Sequence, residues 1–292
     1  MNAQPAITAD ASAPVPNHRP CVHARRRFIQ RESAPLFLAD WMNVLFIHYE
    51  VDRERLQAAL PFGLDCPHGR AYVSLVAFSM RRLRPAFGGA LSAWPFKVLG
   101  ETRFLNVRTY VRHDNEPGIY SIKEFMSSRL SAPLGPMTYG LPYHFARLDY
   151  DCRDRKYAFH GRIKRIEGRE RRLRFSARIR PGHLGPSFPV AASHDAVTEF
   201  LTEQYTAYTC HRGRRRLFRI WHEPWPSHAA TVTIEDQDLL HTSGDWLKEA
   251  RFVGAQYSPG VQNVWMGPPH RIPDTSATSR HKRRHTAFLE IP

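Results

Sequence analysis

An alternation of apolar and polar residues over Arg171–Arg180 is the feature that most limits what this chain can fold into. Every second position is apolar (Leu173, Phe175, Ala177 and Ile179), and the positions between hold arginine or serine. Successive side chains of a β-strand point to opposite faces, so the segment predicts a strand with one buried face and one strongly basic face. A strand of this kind must bury its apolar face against another layer, which predicts a sheet protein.

Further strand-like segments, separated by short turns, run through the rest of the chain. Two hairpins are predicted, one joining residues 105–112 to 118–125 and one joining 157–166 to 171–180. Other predicted strands cover residues 41–49, 71–80, 214–221 and 231–234. Helices are predicted from Asp52 to Leu60 and over residues 195–208. The predicted fold is α+β and mainly antiparallel β, a barrel or sandwich with a few flanking helices.

The two ends of the chain differ in composition from the part between them. Residues 1–33 are rich in arginine and proline and lack the apolar core of a secretory signal, so they are predicted to be a disordered basic leader. An organelle transit peptide is the alternative for this segment. Residues 273–292, with the basic run 280–285, are predicted to be a disordered basic tail. Residues 34–272 are predicted to form a single domain.

The high net charge and the excess of arginine have two possible explanations. The net charge is +15, and 36 of the 42 basic residues are arginine. A GC-rich genome gives this ratio, whereas the alternative is an anionic partner, either nucleic acid or an acidic small molecule.

Several classes of protein are disfavoured by composition. The four cysteines form no C-x-x-C pair, which argues against a disulfide framework and favours a reducing, cytoplasmic location. No run of about 18 apolar residues is present, so no membrane-spanning helix is predicted. No histidine pair has metal-ligand spacing on a predicted helix, so neither a metal site nor a cofactor is predicted.

Polar residues share one face of the predicted strand at residues 105–112. Asn106, Arg108, Tyr110 and Arg112 alternate with apolar residues and threonine. If this face points into a barrel, Asn106, Arg108 and Tyr110 form a polar wall, and the Arg108 guanidinium suits a carboxylate ligand. If it points to solvent, the pattern is that of an ordinary surface strand.

The following strand carries a lysine in an otherwise mostly apolar setting. By alternation, Ile119, Ser121, Lys123 and Phe125 share a face. A lysine buried near another cation has a lowered pKa and can act as a nucleophile. The alternative is a lysine that is simply exposed.

The segment Tyr139-Gly-Leu-Pro-Tyr-His144 predicts a stiff turn that presents polar side chains. Gly140 allows a close backbone approach and Pro142 fixes its own φ angle. His144 is a candidate general acid or base, with Tyr143 as a hydrogen-bond donor and Tyr139 beside them as a ligand contact. The alternative is a structural turn with both side chains packed.

Motifs spread through residues 36–271 resemble the YqjF-like family of unknown function (domain of unknown function 2071), which is related to acetoacetate decarboxylase. They are Trp41, residues 60–64, 69–73, 106–111, 117–120, 139–144, 200–205 and 222–226. The resemblance implies an acetoacetate decarboxylase-like sheet, barrel- or cone-shaped, with a small-molecule pocket.

The same resemblance also implies a missing catalytic group. The decarboxylase relatives carry a Gly-x-Pro-Lys-Lys loop whose first lysine forms a Schiff base with a β-keto acid. Gly140-Leu-Pro-Tyr-His144 resembles that loop, with Tyr143 in place of the reactive lysine and His144 in place of its neighbour. Neither side chain forms an imine with a ketone.

Three hypotheses about function follow. The first is a pocket for an anionic carboxylate or carbonyl compound, with acid–base chemistry if the protein is an enzyme. The second is the same fold as a non-catalytic ligand-binding or scaffold protein. The third is a nucleic-acid-binding protein that uses the arginines of residues 172–180 and 214–216 together with the basic tail.

Overall fold

The computed structural model describes residues 19–88, 100–153, 157–165, 168–180 and 194–273. Its four α-helices are α1 (Arg19–Glu32), α2 (Arg53–Ala58), α3 (Leu134–Thr138) and α4 (His194–Thr202). Short 3-10 helices cover Pro67–Gly69, Asp238–Ser243 and Asp245–Glu249.

Fourteen strands make up most of the described chain. The first seven are β1 (Phe37–Val51), β2 (Gly63–Leu64), β3 (Ala71–Pro85), β4 (Thr102–His113), β5 (Glu116–Met126), β6 (Tyr143–Phe145) and β7 (Arg147–Arg153). The second seven are β8 (Ala158–Arg165), β9 (Arg171–Arg180), β10 (Thr206–His211), β11 (Arg214–Trp221), β12 (His228–Asp236), β13 (Arg251–Met266) and β14 (His270–Arg271). Both predicted hairpins are present, as β4–β5 and β8–β9.

The strands belong to one hydrogen-bonded sheet that closes on itself. Its path runs β14-β11-β10-β5-β4-β3-β1-β13-β12-β9-β8-β7, and a further pairing joins β11 to β13. That pairing closes a ring of seven strands, and β12, β9, β8 and β7 continue from β13 as a second layer. Most neighbours are antiparallel, and β10 and β6 each lie parallel to β5. The predicted mainly antiparallel fold with few helices is confirmed.

Two apolar cores occupy opposite faces of the shared strands. In β1, Val44 and Phe46 point into the strand ring, and we call the cluster that they join the ring core. Leu45 and Ile47 point the other way, into a cluster shared with β7, β8, β9 and β12 that we call the sandwich core. Strand alternation therefore decides which residues can reach the inside of the ring.

The prediction of disorder is wrong for part of the leader, because residues 19–32 form helix α1. Its side chains Cys21 and Phe28 are buried against Trp221, and the ring of Phe28 lies 5.5 Å from that of Trp265. Pro20 does not prevent the helix, because the helix begins at Arg19 and a proline ring is tolerated in the first turn. Residues 1–18 and 274–292, which include the predicted tail, lie outside the described residues.

Truncating Phe28 is expected to destabilise the fold. The Phe28→Ala variant removes a fully buried ring, and losses of this kind cost about 3–5 kcal/mol. The adjacent Ile29 is half exposed, so Ile29→Ala is the matched control and is expected to change stability by less than about 0.5 kcal/mol. Urea denaturation measures both, and equal midpoints for the two variants would contradict the packing of α1.

The predicted helix at residues 195–208 is too long. Helix α4 ends at Thr202, and β10 begins at Thr206, where it pairs with β11 and β5. The apolar spacing that favoured a longer helix continues to Tyr205, but Ala207 and Tyr208 gain cross-strand neighbours in the ring. Sheet pairing therefore overrides the local helical pattern.

Among the described residues no helix is long and apolar enough to cross a membrane. The assignment of residues 34–272 to a single domain stays a prediction.

Candidate functional site

A cavity inside the strand ring is the candidate site. Its volume is about 100 Å³. An engineered apolar cavity of about 150 Å³ binds benzene, so a cavity of this volume suits a compound of a few non-hydrogen atoms. Apolar side chains form most of the lining, and among them are the aromatic rings of Trp41, Phe46, Phe78, Phe104 and Trp225.

Four polar residues on β4 and β5 form one side of the cavity, which we call the polar wall: Asn106, Arg108, Ser121 and Glu124. They are neighbours across the hairpin, because Asn106 pairs with Glu124 and Arg108 pairs with Ser121. Directly paired residues have Cβ atoms about 5 Å apart, so the four polar groups lie side by side.

A β-bulge at Ile122 gives the polar wall its composition. Val107 pairs with Lys123 whereas Arg108 pairs with Ser121, so Ile122 is one residue too many on β5. Because of this extra residue, the inward and outward positions of β5 exchange after Ile122. The side chain of Glu124 therefore points into the strand ring. The prediction that Ser121 and Lys123 share a face is therefore wrong.

Lys123 points away from the cavity. Its Nζ atom donates to the carbonyl oxygen of Thr242, on the side of the sandwich core. Burial lowers the pKa of Lys123, and the nearby Arg165 and Arg171 lower it further. Among the lysines that the structure describes, none lines the cavity.

Arg108 is a buried cation that faces the cavity. Its side chain donates from Nη2 to the carbonyl oxygen of Leu201 at 3.0 Å, and its guanidinium lies 5.6 Å from the ring centre of Phe46. Nε has no hydrogen-bond partner among the described residues, and none of their carboxylates lies within 4.0 Å of the guanidinium. A buried arginine normally has an anionic partner, so this one has capacity for a ligand.

Glu124 is the titratable acid of the polar wall. It is almost fully buried, and burial raises the pKa of its carboxyl group to about 7. A hydrogen bond donated by Ser121 Oγ to Oε1 and the charge of Arg108 both act to lower this pKa, but burial has the larger effect. Near neutral pH, Glu124 therefore exists both as a proton donor and as a proton acceptor.

A chain of hydrogen bonds behind the wall fixes Tyr110. The Tyr110 hydroxyl donates to the Leu201 carbonyl at 2.7 Å, so the bond of 2.6 Å with Ser74 Oγ must be donated by Ser74. Ser74 then accepts from Nδ1 of His48 at 2.6 Å, which leaves Nε2 of His48 as an acceptor facing Gln256 at 3.3 Å.

The same chain requires a neutral His48. Burial and the neighbouring Arg108 lower the pKa of His48 to about 3, which agrees with that state. Because Arg108 and Tyr110 both donate to the Leu201 carbonyl, the network holds the end of α4 against β4.

The turn at residues 139–144 borders the polar wall. Gly140 has a φ angle of +74°, and an added Cβ atom would lie 3.1 Å from Thr209 Oγ1, so the turn needs glycine here. The Pro142 carbonyl accepts from the backbone N–H of Glu124 at 3.1 Å, which ties the turn to β5.

Tyr143 and His144 point in opposite directions from the short strand β6. Tyr143 lines the cavity, with its ring 5.8 Å from that of Phe104, and burial raises the pKa of its hydroxyl well above the usual value. The ring of His144 lies 5.9 Å from that of Phe125, a residue of the sandwich core. One strand cannot present both neighbours to the same space.

The structure brings some of the sequence-predicted residues together and separates others. Asn106, Arg108, Tyr139 and Tyr143 line the cavity. Tyr110 lies behind the wall in the hydrogen-bond network, and Arg112 is half exposed and paired with Asp65. The Oδ1 atom of Asn106 and the hydroxyl of Tyr139 are buried without a hydrogen-bond partner among the described residues.

The sequence did not lead us to predict that Glu124 and His222 line the cavity. The signal for Glu124 in the sequence is a carboxylate in a mostly apolar stretch, between Ile122 and the pair Phe125-Met126. His222 lines the cavity, but its Nδ1 donates to the Glu223 carbonyl at 2.7 Å and the Gln204 backbone also hydrogen-bonds the ring. Burial lowers the pKa of His222 despite the nearby Glu203.

In the described part of the chain, no three side chains of His, Cys, Asp or Glu are grouped so that they could hold a metal ion.

The ring and its second layer define an acetoacetate decarboxylase-like fold. An acetoacetate decarboxylase from Legionella pneumophila superposes with a TM-score of 0.52 at 13% identity, covering 83% of this chain and 89% of that one. An acetoacetate decarboxylase-like enzyme from Sphingomonas wittichii gives 0.56 at 12%, covering 82% and 94%. The enduracididine biosynthesis enzyme MppR, complexed with pyruvate, gives 0.54 at 12%, covering 82% and 91%.

Sequence comparison gives the family within this fold. The model of DUF2071, an uncharacterized conserved protein, matches residues 38–262. YqjF of Bacillus subtilis is 31% identical over 217 residues, which cover 72% of this chain and 82% of YqjF. The chain therefore belongs to the DUF2071 family.

Proposed function

We propose that this protein binds a small carboxylate that also carries a carbonyl group, inside the strand ring, without forming a Schiff base. The observation that carries the proposal is Arg108, a buried cation that faces the cavity with an unpaired Nε. Its planar guanidinium suits the two oxygens of a carboxylate. The cavity volume of about 100 Å³ suits a compound near the size of pyruvate or acetoacetate.

Glu124 supplies the acid–base chemistry in this proposal. With a pKa of about 7 it can donate a proton to a carbonyl oxygen, or accept one from an adjacent carbon, at neutral pH. The sequence suggested His144 as the general acid or base. In this proposal Glu124 has that role, because the ring of His144 packs on Phe125. Tyr143 and Asn106 contribute hydrogen bonds that orient the ligand. The aromatic lining excludes water, which strengthens the attraction between Arg108 and an anion.

The lysine-dependent reaction of the decarboxylases is not part of the proposal. Tyr143 lines the cavity from the turn that resembles the Schiff-base loop, and a phenol forms no imine with a ketone. We also propose a cytoplasmic location, for which the four free cysteines are the support.

Calorimetric titration of the full-length protein with acetoacetate, pyruvate and acetone tests the proposal. Both carboxylates are expected to bind and the neutral acetone is not, because only the carboxylates offer Arg108 an anion. Borohydride added to the acetoacetate complex is expected to leave the protein mass unchanged. Tight acetone binding, or a mass increase after reduction, would contradict the proposal. Consumption of acetoacetate followed by NMR separates an enzyme from a binding protein.

A further inference from the structure

A second candidate surface lies on the outer face of the second layer, remote from the ring cavity. In β9 the apolar residues Leu173, Phe175, Ala177 and Ile179 are buried in the sandwich core. The arginines between them point outward and are exposed, and β8 adds two more basic side chains. We call the following set the basic face: Arg162, Lys164, Arg172, Arg174, Arg178 and Arg180.

Strand pairing concentrates like charges on this face. Arg162 pairs directly with Arg174, and Lys164 pairs directly with Arg172. Like charges directly opposite each other destabilise a sheet, so the arrangement costs stability unless another charge compensates it. Glu170 compensates Arg172 and Lys164.

Three arginines of the basic face form no salt bridge among the described residues and can therefore pair with an anionic partner. Arg174, Arg178 and Arg180 have no carboxylate within 4.0 Å among the described residues, whereas Arg162 is paired with Asp149 at 2.9 Å. Arg180 lies six positions after Arg174, so the row is about 20 Å long at about 3.3 Å per residue. Each strand of duplex DNA carries one negative charge per about 3.4 Å of helix axis, so a row of this length can lie along roughly six phosphates of one strand.

The other side chains on this face narrow the class of partner. They include the acidic Asp236, which pairs across the strands with Arg174, and the polar His160, Ser176, Thr231 and Thr233, which can hydrogen-bond to phosphate oxygens. No aromatic side chain of β9 points outward between the arginines, because Phe175 is buried in the sandwich core, so the strand offers no platform for stacking single-stranded bases. It also offers no outward apolar side chain to enter a lipid bilayer.

We infer that the basic face binds the phosphate backbone of double-stranded nucleic acid without reading its sequence. Guanidinium groups pair with phosphate oxygens in two-pronged hydrogen bonds, and the rigid sheet holds them in one row. This surface and the ring cavity use opposite sides of the sandwich core, so the inference does not depend on the proposed ligand.

The test is binding of the full-length protein to a 20-base-pair DNA duplex, measured by fluorescence anisotropy over a range of salt concentrations. Wild-type protein is expected to bind at 50 mM salt and to lose affinity steeply as salt rises. The triple variant Arg174→Glu, Arg178→Glu, Arg180→Glu is expected to lower the slope of log affinity against log salt by about 3, because each lost phosphate contact removes about 0.9.

A control variant carries the same change in net charge elsewhere. Arg26, Arg31 and Arg53 are exposed arginines on α1 and α2, and their replacement by glutamate is expected to leave most of the affinity. A second triple variant, with glutamine at positions 174, 178 and 180, repeats the test if the glutamate variant does not fold. Equal losses in test and control variants, absence of duplex binding at 50 mM salt, or binding to phosphatidylserine vesicles in its place would overturn the inference.

Discussion

Replacing Arg108 by glutamine is expected to weaken the binding of acetoacetate and pyruvate by about 30-fold or more. Removing one partner of a buried, hydrogen-bonded charge pair costs about 2–5 kcal/mol, and each 1.4 kcal/mol is a factor of ten in affinity. Arg108 faces the cavity and forms no salt bridge within 4.0 Å among the described residues, so in this prediction the ligand carboxylate pairs with it directly, beside the more distant Glu124. Isothermal titration calorimetry at one pH measures the effect.

Arg112→Gln is the matched control for this measurement. Arg112 lies on the same strand, four residues further on, but its side chain is exposed and pairs with Asp65. Its replacement is expected to leave ligand affinity close to that of the wild type. Because Arg108 also donates to the Leu201 carbonyl, Arg108→Lys is a useful third variant that keeps the charge. Equal affinities for Arg108→Gln and Arg112→Gln would remove Arg108 from the site.

Replacing Glu124 by glutamine is expected to remove a large part of the pH dependence of stability. The pKa of Glu124 is about 7 in the folded protein and 4.5 when the group is unperturbed. Below pH 4.5 the carboxyl is protonated in both states, and stability has its full value. As the pH rises from 4.5 to 7 the unfolded chain loses this proton first, so the free energy of unfolding falls, and it levels off above pH 7.

The size of this effect makes it measurable by urea denaturation at pH 5 and pH 8. The wild-type protein is expected to lose roughly 2–3 kcal/mol more stability between these two values than Glu124→Gln, because one pKa unit corresponds to about 1.4 kcal/mol. Glu235→Gln on the exposed side of β12 is the control and is expected to keep the wild-type dependence. A Glu124→Gln variant with the same pH dependence as the wild type would mean that the carboxyl is not buried as described.

The strands and hairpins of this fold were predictable because their signal is local. The alternation over Arg171–Arg180 gave both the strand β9 and its basic outer face. The turn between β4 and β5 was also predictable from the sequence. Aspartate and asparagine tolerate positive φ angles, and Asp114 and Asn115 both adopt them here.

The candidate site was only partly predictable, since it depends on how the strands pair. Sequence alternation offered Arg108 as an inward residue but left solvent as an equal alternative, and only closure of the ring decides between them. The bulge at Ile122 places Glu124, and not Lys123, in the cavity lining. No turn or breaker residue in the sequence indicates the bulge. Bulges arise from the twist and register of the whole sheet, which a single strand does not encode.

The helical leader was missed for a related reason. Helix α1 is stabilised by burial of Phe28 against Trp221 and Trp265, which lie about 200 residues away in sequence. Its own composition is strongly basic and predicts no stable isolated helix. Long-range packing therefore decides its structure.

A crystal structure of the protein with acetoacetate tests the central claim most directly. The ligand is expected inside the strand ring, with its carboxylate within hydrogen-bond distance of the Arg108 guanidinium, its carbonyl oxygen facing Glu124 or Tyr143, and no covalent bond to the protein. A ligand joined to a lysine, or bound away from Arg108, would contradict it.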